Sequence, residues 1–186
     1  MRSNRSTRLL IGALAAAAAT VAMATSADAR HPDPSIPGKI AVEDGNTPFL
    51  AGHGVGVQMY SCKATAGTFD WAFVAPRANL FDRHGKVIVT HFAGPTWQAR
   101  DGSAVKGAVE ASVTVDPTAI PWLRLAATPV PDGHRGGRLA RTSFIQRTNT
   151  VGGLAPARED CNAATAGTVV EVPYTADYVF WRSTRR

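Results

Sequence analysis

Beyond residue 24 the chain has no long uncharged apolar run, and no stretch of ten residues keeps a convincing 3.6-residue period. The first absence argues against a membrane-spanning helix in the mature chain, and the second against a helical or doubly wound fold. Cysteine is scarce: Cys62 and Cys161 are the pair, and neither has a CxxC partner or neighbouring histidines. That excludes the usual thiolate metal and redox motifs. No GxSxG elbow is present, so the α/β-hydrolase route to a nucleophilic serine is absent. No strand–GxGxxG–helix unit with a following acid is found, which removes the dinucleotide fingerprint. No HxH or HxxxH pair occurs. Carboxylates are few, 14 in 186 residues, and most fall in turns rather than in facing pairs.

What is present begins with an export signal. Arg2, Arg5 and Arg8 precede an alanine-rich apolar run over residues 9–24, and Ala27-Asp28-Ala29 supplies a small-x-small cleavage pattern. This predicts a secretory signal peptide over residues 1–29, with Arg30 as the first mature residue. The run is short for a membrane anchor. It lacks a preceding arginine pair and a following cysteine, which disfavours the twin-arginine and lipoprotein routes. Cleavage at Ala29 also leaves His31 second in the mature chain, so it is no N-terminal copper ligand. The mature chain of 157 residues carries seventeen Lys and Arg against thirteen Asp and Glu, a net +4. That mild excess suits an anionic envelope without demanding one. No basic stripe with interleaved aromatics appears, so nucleic acid is not an expected partner. In an exported chain, Cys62 and Cys161 read as a disulfide.

Residues 30–50 are proline-rich and aperiodic, an extended lead-in. Residues 51–182 then alternate in short runs broken by turn signals. In residues 54–62, Val55, Val57 and Met59 share one face, and Gln58, Tyr60 and Cys62 the other. Arg83-His84-Gly85 reads as a three-residue bulged hairpin, with Gly85 left-handed. Residues 138–147 read as a strand, and residues 168–181 as one or two strands around Pro173. Trp71 and Trp122 read as core. The expected fold is all-β: a single antiparallel β-sandwich or barrel-like domain of about eight short strands, with residues 183–186 as a basic tail.

The segments GVQMYSC, HFAGPTWQARDGS, IPWLRL, FIQRTNTVGG with APAREDC, and VPYTADYVFW occur in this order. Together they resemble a family of secreted bacterial and fungal proteins grouped as a domain of unknown function. The resemblance spans about residues 35–181. It implies an extracytoplasmic, mostly β domain with no established activity, and it hands over no catalytic residues. A dehydrogenase label carried by some fungal relatives finds no support in these residues.

Candidate chemistry starts at HFAGPTWQARDGS, residues 91–103. His91, Asp101 and Ser103 are the residue types of a hydrolytic triad. Asp101-Gly102, however, is the strongest two-residue hairpin signal. It predicts Arg100 opposite Ser103, Trp97 opposite Lys106, and the Asp101 carboxylate in solvent. His91 shares a face with valines. It reads either as a half-buried histidine bonded to a carbonyl or as a ligand contact. His53 and His91 are the weak metal candidates, and no metal or cofactor is expected. Gln146, Arg147 and Asn149 gather donors at a strand end. They either bind a carboxylate, sulfate or sugar, or cap the loop's own backbone. Asp177 reads as a salt-bridge or sheet-surface residue. The ligand-binding candidates are therefore His91, Trp97, Gln146, Arg147 and Asn149. The expected function is a non-catalytic module for a small molecule, glycan or envelope component. The alternative is a secreted hydrolytic or metal-assisted enzyme using His91.

Overall fold

The computed structural model describes residues 36–131, 134 and 136–185. The expected signal peptide and most of the proline-rich lead-in lie outside the described residues. Eight strands follow in chain order: β1 (Asn46–Thr65), β2 (Thr68–Phe81), β3 (Val87–Phe92), β4 (Thr96–Ala99), β5 (Ala104–Val113), β6 (Trp122–Pro129), β7 (Phe144–Gly152) and β8 (Val169–Ser183). Each pairs antiparallel with the next, and β8 returns to β1, closing a barrel. Closure joins the first strand to the last, while β2 over residues 68–77 and β5 over residues 108–113 run past the ends of their β3 and β4 partners. Of the two architectures expected, the barrel is the one formed.

Not all the strands are short. β1 has 20 residues, β8 15 and β2 14. The prolines that suggest breaks are absorbed instead. Pro76 pairs with Gln58 beside a bulge at Met59/Tyr60, and Pro173 lies just past the last β7–β8 pair, Gly152 with Tyr174. A bulge is where a strand tolerates a missing donor. β1 also begins earlier than the lead-in boundary suggests, at Asn46.

Alternation sorts the walls. Leu80, Val89, Trp97, Val105, Leu125, Ile145, Tyr178 and Phe180 fill the interior. On β1 the inward row is Gly52, Gly54, Gly56 and Gln58, paired with Tyr178, Ala176, Tyr174 and Val172 of β8. The more apolar side chains of that stretch, Val55 among them, face outward. Ion pairs dress the outer wall: Arg77 with Glu171, Arg124 with Glu110, and His53 with Asp177. Among the described residues no helix is long and apolar enough to cross a membrane. Trp122 is buried, but Trp71 is half-exposed and donates its indole N–H to Ala157 O at 3.1 Å.

The β4–β5 hairpin differs from expectation by one residue. Ala99 N donates to Ser103 O at 2.9 Å, so the loop is Arg100-Asp101-Gly102, with Gly102 at φ +82°. Trp97 then pairs with Val105 rather than Lys106. A one-residue slip turns a strand over, and the two-residue loop would have set a lysine across from an interior tryptophan. Nor is the Asp101 carboxylate free in solvent. It accepts from Ser103 Oγ (2.6 Å), Ser103 N (2.9 Å) and Arg138 N (2.7 Å). Those bonds hold its pKa down at about 2. Ser103 is fully buried, and its Oγ accepts from Leu139 N at 3.0 Å. This pair therefore pins the chain between β6 and β7, and Leu139 is buried in the core. Residues 138–142 are a turn held in this way, and the strand begins only at Phe144. Ser103→Ala leaves the Leu139 N–H unpaired in the interior. It should cost about 1–3 kcal/mol in urea unfolding, without changing the fold.

Outside the barrel, residues 36–41 form a strap with one 3-10 turn, Gly38–Ile40. Gln146 Nε2 donates to Ile40 O (2.8 Å) and Arg124 to Ala41 O (2.6 Å). The Cys62–Cys161 disulfide ties the end of β1 to the loop between β7 and β8.

Candidate functional site

One end of the barrel collects the β1–β2, β3–β4, β5–β6 and β7–β8 connections, and a cavity of about 260 Å³ opens there. His91 and Trp97 lie deep in it. Gly94-Pro95 turns the chain between β3 and β4, so the two residues face each other across the ladder. Their rings stack with centroids 4.0 Å apart and planes 10° apart. The Tyr178 ring meets both edge-on, at 5.7 Å from His91 and 6.0 Å from Trp97. Two glycines make room for these rings. A Cβ on Gly54 would stand 2.7 Å from a Tyr178 ring carbon, and one on Gly107 2.8 Å from a Trp97 ring carbon. Glycine therefore occupies inward positions where alternation would place an apolar side chain.

Gln58, Tyr60, Leu125 and Arg147 form the walls. The Tyr60 hydroxyl donates to Gly153 O at 2.7 Å, and the Tyr174 and Tyr178 hydroxyls lie 3.0 Å apart. Phe73 and Val109 flank the mouth, 55% and 57% exposed. The Phe73 ring stands edge-on to Tyr60 at 5.7 Å.

Burial sets the electrostatics. His91 is 3% exposed, and its Nδ1–H donates to Thr96 O at 2.9 Å. Burial pushes its pKa down to about 4. The Arg147 charge adds to this, and the Thr96 carbonyl opposes it. Burial also raises Tyr60 and Tyr178, while the same arginine partly offsets both. At neutral pH, Arg147 is then the charged side chain of the lining.

The His91 shift predicts a pH dependence. Its folded pKa lies below its unfolded value, so the stabilisation is complete above about pH 6.5 and is lost as pH falls towards 4. The loss should approach about 3 kcal/mol. Urea unfolding of His91→Phe across that window should lack this loss.

The sequence candidates fall in different places. His91, Trp97 and Arg147 line the cavity. Gln146 adjoins Arg147 in the chain, yet faces outward. Its amide is engaged by Ile40 O and by Trp181 Nε1, the latter at 2.9 Å. Asn149, at φ +49°, lies in the β7–β8 bulge and donates to Asp177 Oδ2 at 2.9 Å. Asp177 Oδ1 meets His53 Nδ1 at 2.7 Å. These outer-wall groups border a broader depression of about 840 Å³, where they satisfy one another. His53 and His91 therefore lie on opposite faces of the wall. Among the described residues no three His, Cys, Asp or Glu side chains converge as a metal set. Gln58, Tyr60 and Tyr178 were not singled out by the sequence reading. The available signal was a polar and aromatic row continuing the glycine row of β1.

Residues 43–182 match the family described as "Protein of unknown function (DUF3455)". No curated protein and no solved structure matches the chain.

Proposed function

We propose, for a chain that belongs to the DUF3455 family of proteins of unknown function, that the barrel is a non-catalytic binding module whose end cavity takes a small, largely apolar molecule. One observation carries this reading: an aromatic-floored cavity inside a rigid closed barrel, opening between two exposed apolar side chains, Phe73 and Val109. Apolar pockets with a few placed polar groups are the usual form of small-molecule sites. The apolar mouth favours a small molecule over a glycan. Among the described residues His91 has the Thr96 carbonyl as its hydrogen-bond partner, with no acid placed to orient it and no nucleophile for it to activate, and both are needed by the hydrolytic alternative.

N-phenyl-1-naphthylamine, a neutral fluorescent probe, tests the reading. It should bind saturably at one site. Leu123→Trp, which fills the cavity from a half-buried lining position, should abolish binding and leave thermal unfolding little changed. Equal binding to a folded Leu123→Trp protein would refute the proposal.

Export belongs to the same reading, on the leader pattern of residues 1–29 and the Cys62–Cys161 bridge. N-terminal sequencing of the protein recovered outside the cytoplasm should begin at Arg30. Recovery of an uncleaved chain would oppose it.

A further inference from the structure

The cavity has an excess of hydrogen-bond donors. Arg147 is half-buried, and Nε and Nη2 both donate to Pro121 O, at 3.1 and 2.8 Å. The ion pairs of the described residues use Arg77, Arg124, Arg158 and His53, not Arg147. Among the described residues no aspartate or glutamate lines the cavity. A partly desolvated guanidinium without a carboxylate calls for an anion. Two more residues of the lining carry unpaired donors. Gln58 Nε2 and Trp97 Nε1 are buried without a hydrogen-bond partner, on side chains 3% and 1% exposed. Buried donors are ordinarily satisfied, and leaving one unpaired is costly.

We infer that the cavity recognises a small apolar monocarboxylate, its head group at Arg147 with Gln58 and Trp97 and its body against Leu125, Phe73 and Val109. This rests on the binding reading above. A carboxylate brings two oxygens with about four lone-pair sites and fits a guanidinium edge. One positive charge matches a monoanion, whereas a phosphate dianion would leave charge buried and uncompensated. The volume of about 260 Å³ lies just below the usual range of ligand pockets, roughly 300–1,000 Å³, so the body is small, a medium-length chain or a compact aromatic system.

Calorimetry with octanoate and octan-1-ol at pH 7.5 separates the head group from the tail. The wild-type protein should bind octanoate about ten-fold more tightly or better. Arg147→Gln should erase that preference, and Arg147→Lys should keep part of it. If Arg147→Gln fails to fold, the wild-type preference decides alone. Octan-1-ol binding as tightly as octanoate would overturn the inference. So would failure of both ligands while N-phenyl-1-naphthylamine still binds. Failure of that probe as well would instead remove the binding reading itself.

Discussion

Trp97→Ala should lower the unfolding free energy by about 3–5 kcal/mol and abolish binding of N-phenyl-1-naphthylamine. Trp97 is 1% exposed and sits on β4, a strand of four residues. Its ring forms the stack with His91 and meets Tyr178 edge-on. Alanine removes these contacts and leaves a void against Gly107, which has no side chain to fill it. A rigid closed barrel relaxes little, so the cost should fall at the upper end for core truncations. Trp97→Phe should retain much of the stability while losing the unpaired indole N–H. Urea unfolding measures both. A loss below about 1 kcal/mol for Trp97→Ala would mean that the stack does not hold the floor of the cavity.

Reduction of the Cys62–Cys161 bridge should cost a comparable amount. The cysteines are 99 residues apart. In the chain-entropy model a loop of that length is worth about 4.7 kcal/mol, and native bridges in small secreted domains measure about 2–5. The bridge anchors the β7–β8 connection at the cavity end. Gly153 O, in that connection, holds the Tyr60 hydroxyl on the cavity wall. Loosening it should therefore weaken probe binding along with stability. Cys62→Ser/Cys161→Ser unfolding at the wild-type denaturant midpoint would contradict this.

The all-β class was legible because strand alternation and turn chemistry are local. Gly85 at φ +74° closes the β2–β3 loop as its sequence predicts. The disulfide was legible from the cysteine count and the leader-like pattern of residues 1–29. The choice of a barrel over a sandwich was not, because the β1–β8 pairing joins segments more than a hundred residues apart. The hairpin register was misjudged for a similar reason. Asp101-Gly102 reads locally as a two-residue turn, but the Asp101 carboxylate answers to Arg138 N, 37 residues on. His91 and Trp97 were found together because a short turn at Gly94-Pro95 brings them face to face. Arg147 was found for its chemistry, but its neighbour Gln146 could not share its site, since adjacent strand residues point to opposite faces. Gln58 was passed over because a polar residue after a row of glycines does not read as an interior wall.

The most direct measurement is an amide and indole NMR titration of the purified protein with N-phenyl-1-naphthylamine. The binding account predicts saturable shifts of the Trp97 indole N–H and of the Leu125 and Arg147 amides, with the His53, Asp177 and Gln146 signals unmoved. Shifts confined to those outer-wall residues, or no shift at the Trp97 indole, would contradict it.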